Sequence, residues 1–355
     1  MKSAVVALLV LFVLGVALLM VLLPGTAPVV VPLQTRLEAP PGYLCLRTGK
    51  PPNIDGKLDD DCWALAPWSA DFQDIEGSTR PKPTHRTRFK MLWDDNGFYL
   101  AAEITEPHVW ATITQRDAVI FQDNDFEVFF APDDDTHAYA EIELNALNTL
   151  WDLLLTKPYI EGGKAFNEWN ITGFRSAVHV QGTLNNPADT DTGWTLELFW
   201  PWENLKELNN KAVPPKVGSR YRMNMSRVEW DTTIENGKYV KVPKAPEHNW
   251  VWAPTGVIDI HRPHRWGYVL FTDDVQQPSP VDPAWATIDQ LYDVRYLQRR
   301  HLIDHGRHAR SFGELGLPSD PAGPAMQTSP QGVVLSNVFG GKTYTVQPDG
   351  FLTVK

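Results

Sequence analysis

The run Asp123-Asn124-Asp125-Phe126-Glu127-Val128-Phe129-Phe130-Ala131-Pro132-Asp133-Asp134-Asp135 alternates acidic and apolar residues and ends in an acidic turn. A period of two belongs to a β-strand, whose successive side chains leave opposite faces. Phe126, Val128 and Phe130 therefore share one face, and Asp125, Glu127 and Phe129 the other. Such a strand is half core and half working surface, which predicts a β-sandwich with a polar concave face.

The rest of the chain repeats the theme. Strand-like segments recur at 88–93, 97–104, 125–131, 139–145, 151–156, 177–183, 193–200, 220–229, 250–253 and 267–271. Asp94-Asp95-Asn96-Gly97, Asn185-Asn186-Pro187 and Glu235-Asn236-Gly237 supply turns between them. Many short strands without a long amphipathic helix among them predict an all-β, antiparallel sandwich of immunoglobulin-like or jelly-roll-like type. Short helical turns are expected at 59–65 and 202–208. Beyond a Pro-rich linker at 276–283, Ile288, Leu291, Tyr292, Arg295 and Tyr296 fall on one helical face, and 332–355 reads as a hairpin turning at Asp349-Gly350. The expected organisation is 1–25 signal peptide or anchor, 26–42 tether, 43–275 sandwich and 276–355 helical extension with its hairpin.

Residues 5–23 are almost wholly apolar and follow Lys2, which predicts an N-terminal apolar helix acting as an export signal, either cleaved or retained as a membrane anchor. The folded part is then extracytoplasmic, periplasmic or at the cell surface. Cys45 and Cys62 fall in that part, as a disulfide or as two separate buried thiols. A net charge of −11 argues against nucleic acid as a partner. Fourteen tryptophans exceed an ordinary share. Trp93, Trp194 and Trp252 read as core, while Trp110, Trp151 and Trp169 are less committed to a strand pattern and are better candidates for exposure.

Sugar sites combine a flat aromatic face with planar carboxylate, amide or guanidinium groups. Glu127, Glu141 or Glu143, Arg227 and Glu229 supply these if neighbouring strands share a face. Asp133, Asp134 and Asp135 offer oxygens to calcium, or form a plain acidic turn. His301 and His305, four residues apart on the predicted helix, are either a metal-binding pair or a solvated face.

Asn53-Ile54-Asp55-Gly56-Lys57-Leu58-Asp59-Asp60-Asp61-Cys62-Trp63, Met91-Leu92-Trp93-Asp94-Asp95-Asn96-Gly97-Phe98-Tyr99-Leu100 and Asp123–Phe130 together resemble the family 9 carbohydrate-binding module and its wider family. Lys157-Pro158-Tyr159, Gly193-Trp194-Thr195-Leu196-Glu197, Asn249-Trp250-Val251-Trp252-Ala253-Pro254 and His261-Arg262-Pro263-His264-Arg265-Trp266-Gly267-Tyr268 extend the resemblance, which covers roughly 43–272. It implies a sandwich that binds an oligo- or polysaccharide without cleaving it, clamping a sugar between two aromatic rings, with structural calcium. By position Phe121 takes one clamp place and His261 lies near the other. Glu127 is the binding carboxylate, Glu143 stands where the module has arginine, and a glutamine falls near Ser226 or Arg227. The ligand-binding set expected is thus Phe121, Glu127, Glu143, Arg227 and His261, with Asp133 and Asp135 for Ca2+.

Two other classes compete. A glycoside hydrolase needs two carboxyls at a set separation, for which Asp123 with Glu127 or Glu143 qualifies by residue type. A haem-carrying or structural sandwich needs an axial ligand set, for which His261 with Met223 or Met225 is the candidate. No nucleophile elbow and no phosphate loop is present in the sequence.

Overall fold

The computed structural model describes residues 38–209, 212–318 and 323–355. The apolar run 5–23, and with it the expected N-terminal helix, lies outside the described residues. Among the described residues no helix is long and apolar enough to cross a membrane.

Among the described residues nineteen strands and two α-helices follow in order. The first strands are β1 (Gly42–Arg47), β2 (Gln73–Asp74), β3 (Thr87–Trp93), β4 (Gly97–Thr105), β5 (Asp125–Ala131), β6 (Tyr139–Asn145), β7 (Leu150–Leu155) and β8 (Ala165–Phe166). Next come β9 (Arg175–Gln181), β10 (Gly193–Pro201), helix α1 (Trp202–Asn209), β11 (Arg220–Glu229), β12 (Thr232–Glu235), β13 (Lys238–Lys241), β14 (His248–Val251) and β15 (Gly267–Thr272). Helix α2 (Trp285–His305) precedes β16 (Ala325–Ser329), β17 (Gly332–Phe339), β18 (Lys342–Val346) and β19 (Leu352–Val354).

Thirteen of these strands form one continuous sheet in the order β8-β7-β6-β5-β11-β15-β1-β3-β4-β10-β9, with β14 joined to β11 and β2. The sheet is mixed, which corrects the expectation of a purely antiparallel immunoglobulin or jelly-roll sandwich. Strand β1 runs parallel to both β15 and β3 and makes the seam between two otherwise antiparallel halves. Alternation fixes which side chains face inward but not the direction of a partner strand, so this seam had no signal in the pattern.

The curled sheet closes over its own apolar face. Phe126, Val128 and Phe130 enter the core with Phe89, Leu100, Ile142, Trp194 and Met225. Phe130 meets Trp200 at 5.5 Å, Phe98 at 5.7 Å and Tyr221 at 5.6 Å between ring centroids. Each such fully buried side chain contributes roughly 1.5–3 kcal/mol from burial alone. Trp93, Trp194 and Trp252 are core residues as expected, and Trp110 is buried as well, against the expectation of exposure. Trp151 and Trp169 are half-buried. Cys45 points into this core, whereas Cys62 packs with Trp63, Leu92 and Tyr99 in a separate cluster. Both are free thiols.

The C-terminal segment builds a second core. Ile288, Leu291 and Tyr292 of α2 pack on Val333, Leu335, Tyr344, Val346 and Leu352. The expected hairpin around Asp349-Gly350 is the last turn of a four-stranded meander, β16-β17-β18-β19. Gly350 adopts φ +93°, which only glycine takes without strain. Its carbonyl accepts hydrogen bonds from Tyr292 (2.7 Å) and from Thr136, next to the start of β6 (3.0 Å).

Candidate ligand-binding face

The pairing of β5 with β6 sets Glu127 opposite Glu143, Phe129 opposite Glu141 and Asp125 opposite Asn145. On the other side of β5, Ser226 of β11 stands opposite Glu127. Four carboxyls therefore occupy adjacent places on one sheet face. They are far less exposed than a solvated face would make them: Asp125 is 0% accessible, Glu127 6%, Glu141 5% and Glu143 2%.

Their hydrogen bonding is partial. Glu143 accepts the backbone N–H of Phe121 at 2.9 Å, Asp125 accepts that of Val228 at 3.0 Å, and the Ser226 side chain bonds Glu127. One oxygen of Asp125 and one of Glu141 are buried with no partner. Burial raises the pKa of Glu127 to about 7, moderated by the Ser226 bond. Burial, then the neighbouring carboxylates, hold Asp125, Glu141 and Glu143 well above the usual range.

Aromatic groups edge this floor. On one side Phe121 is half-buried, and its carbonyl accepts the Trp230 indole N–H at 2.8 Å. The Lys241 ammonium lies 3.5 Å from the Trp230 ring centroid. On the other side Tyr159 is 48% exposed and meets His261 edge-on at 4.6 Å. The Tyr159 hydroxyl is pushed up to about 12 by burial and then by the fields of Glu141 and Glu143. His261 is held between Tyr139, whose hydroxyl lies 2.9 Å from Nδ1, and Phe129. Burial lowers its pKa to about 4.

The structure thus brings Phe121, Glu127, Glu143 and His261 to one face. It places Arg227 on the other. Arg227 shares the inward parity of Met223 and Met225, lies 5.2 Å from the Trp250 ring centroid, and pairs with Glu106 at 2.6 Å and Glu229 at 2.7 Å. Counting in twos from Met225 was the available signal. Tyr159 lies outside the expected ligand-binding set; its cue in the sequence is Pro158 ahead of it and Gly162-Gly163 after it, which mark an ordered turn.

The remaining candidates fall elsewhere. Asp133 accepts the Asn209 amide (2.8 Å), Asp135 accepts the His137 N–H (2.8 Å), and Asp134 pairs with Arg220 (2.9 Å), so this segment is built as an acidic turn. Asp123 takes the N–H groups of Thr112 and Ile113 and the Asn145 amide, a set of bonds that fixes a loop. Met223 and Met225 lie in the core, across the sheet from His261, so they do not form an axial pair with it. His301 and His305 stack at 4.2 Å, and each turns Nδ1 to a backbone carbonyl. A cavity lined by Arg220, Leu270 and Pro280 shares no residue with the acidic face.

Among the described residues two groups of three metal-type donors lie within 4.8 Å of one another: Asp125, Glu127 and Glu143, and His85, Glu106 and Glu229. The second contains the Arg227 ion pairs; the first has no such cation.

The fold is thus a mostly β, curled mixed sheet that carries a recessed carboxylate floor with aromatic edges. The chain belongs to the carbohydrate family 9 binding domain-like family, which it matches over residues 54–240. Among solved structures it is similar to a family 9 carbohydrate-binding module from Caldicellulosiruptor kristjanssonii in complex with cellotriose (16% identity, TM-score 0.43, 68% of this chain and 99% of that one). The same source gives a complex with glucose (16%, 0.43, 67% and 98%). A Bacteroides uniformis protein for which carbohydrate binding has been suggested is also similar (15%, 0.48, 65% and 99%). No curated protein matches the sequence.

Proposed function

We propose that this protein is an extracytoplasmic carbohydrate-binding protein that recognises an oligo- or polysaccharide on the β5–β6 face and does no chemistry on it, serving polysaccharide recognition or degradation. The family assignment supports the ligand class. The observation that carries the reading to this face is the recessed floor of Glu127, Glu141 and Glu143 with Phe121 and Tyr159 at its edges. Sugar hydroxyls donate to carboxylates, and the apolar face of a pyranose packs on an aromatic ring. The apolar run 5–23 after Lys2 supports export.

The test is a glycan array followed by calorimetry on the full chain in detergent. A saccharide is expected to be retained, with Glu127→Gln weakening it about tenfold, since an unpaired charge-assisted hydrogen bond costs roughly 1.5–3 kcal/mol. Retention of no saccharide, or equal affinity in Glu127→Gln and Phe121→Ala, overturns the reading.

A further inference from the structure

Two buried acidic clusters among the described residues are treated differently. In one, Glu106 and Glu229 converge on the Arg227 guanidinium, which also donates to Thr105 and Thr87. Its negative charge is answered by protein. In the other, Asp125, Glu127 and Glu143 bring an oxygen each within 4.8 Å of one another, and no Lys, Arg or His among the described residues forms an ion pair with any of them. The nearby Lys241 is instead placed over Trp230, with Gln122 as its hydrogen-bond partner.

Three carboxyls so close together in a buried place cannot all stay ionised unless a cation answers them. Two further observations bear on what that cation is. Asp125 is wholly buried and spends one oxygen on the Val228 N–H, while the other has no partner. Glu141, on the same face, also keeps an unpartnered buried oxygen. Oxygen-only donors suit a hard cation. Two ligands on Ca2+, each at roughly 2.3–2.6 Å, stand up to about 5 Å apart, so donor oxygens that all lie within 4.8 Å of one another can share one ion, and its flexible geometry tolerates an irregular set of carboxylates better than the strict octahedron of Mg2+.

We infer that Asp125, Glu127 and Glu143 hold a divalent cation of the calcium class, with Glu141 beside them. Ca2+ takes roughly six to eight oxygens, so three carboxylates leave coordination positions open. If the saccharide reading holds, ligand hydroxyls fill some of them; the cation site itself does not depend on that reading. The acidic turn at Asp133–Asp135 is not part of this site.

The experiment uses the full chain in detergent and terbium as the probe, with no saccharide present. Trp151 stands opposite Glu143 across β6 and β7 and serves as the sensitiser. Wild type is expected to show saturable sensitised terbium emission that Ca2+ displaces, and its melting temperature is expected to rise on adding Ca2+ after chelation. Glu143→Gln and Asp125→Asn each remove one ligand charge and are expected to weaken terbium by about tenfold or more. Asp133→Asn is expected to bind as wild type does. In chelator Glu143→Gln is expected to melt no lower than wild type, which shows that it folds. Absence of saturable emission, equal affinity in wild type and Glu143→Gln, or loss in Asp133→Asn alone overturns the inference. Terbium binding without any saccharide binding leaves the cation site standing and removes the glycan reading.

Discussion

Arg295 and Glu161 form a buried two-pronged ion pair, Nε to Oε1 at 2.6 Å and Nη2 to Oε2 at 2.5 Å, across 134 residues of chain. The same guanidinium donates to the carbonyls of Gln347 (3.1 Å) and Pro348 (2.9 Å), and Arg299 adds a third contact to Glu161 at 2.9 Å. One side chain of α2 thereby fixes the meander turn and the short helical turn that carries Tyr159. Replacing Arg295 by Met leaves a buried carboxylate with only Arg299. The expected loss is about 3 kcal/mol in urea unfolding, largely recovered in Arg295→Met/Glu161→Leu. A loss equal in the single and double variants would show that the pair is not coupled.

Tyr159 stands at the rim of the acidic floor and is about half-exposed, so its ring can meet a ligand without supporting the core. Tyr159→Ala is expected to weaken saccharide binding about two- to tenfold, the worth of one ring contact of roughly 0.5–1.5 kcal/mol. Its melting temperature should stay close to that of wild type. Calorimetry beside a thermal melt separates these two effects.

Arg227 has the opposite profile. Its removal strands Glu106 and Glu229 in the interior, and Arg227→Met is expected to cost about 3–5 kcal/mol of stability. Where the variant still folds, at low temperature, its saccharide affinity should be near that of wild type. Selective loss of binding in a fully stable Arg227→Met protein would return this residue to the ligand site.

Acid should destabilise the fold through two histidines. His264 is buried against Tyr292 at 4.1 Å with neither ring nitrogen bonded, and burial, then Arg265, Arg262 and Arg222, hold its pKa well below the ordinary value. His261 is lowered to about 4 by burial. A depressed histidine binds fewer protons folded than unfolded, so its stabilisation is complete above about 6.5 and is lost as pH falls towards the folded value. Urea midpoints for wild type and His264→Phe should therefore diverge least near pH 7.5, with the variant less sensitive between pH 6.5 and 4. Identical pH slopes would remove His264 from this account.

Much of this was legible in the sequence, because alternation is a direct readout of strand faces. Phe126, Val128 and Phe130 went inward and Asp125 and Glu127 outward as the period required. The helical face of Ile288, Leu291 and Tyr292 was equally plain. What was not legible depends on contacts distant in sequence. Nothing local tells Arg227 that Glu106 waits across the core, or that Glu143 will stand opposite Glu127 instead of an arginine. The depth of the carboxylate floor was hidden for the same reason: burial of a polar face depends on the loops laid over its rim.

The parallel seam at β1 has a consequence for how the chain becomes a protein. Leu44 and Cys45 must wait for Leu270 and Phe271, the other side of their ladder, and the two are separated by nearly the whole sandwich. Pairings of such long sequence separation are slow to form. During synthesis the first strand emerges long before its partner exists. Until β15 arrives, β1 can pair only with β3, over two residues, and the halves of the sheet remain unjoined. The final closure is timed by the last strand to appear, which makes the nascent sandwich a client for whatever guards exposed strand edges in its compartment.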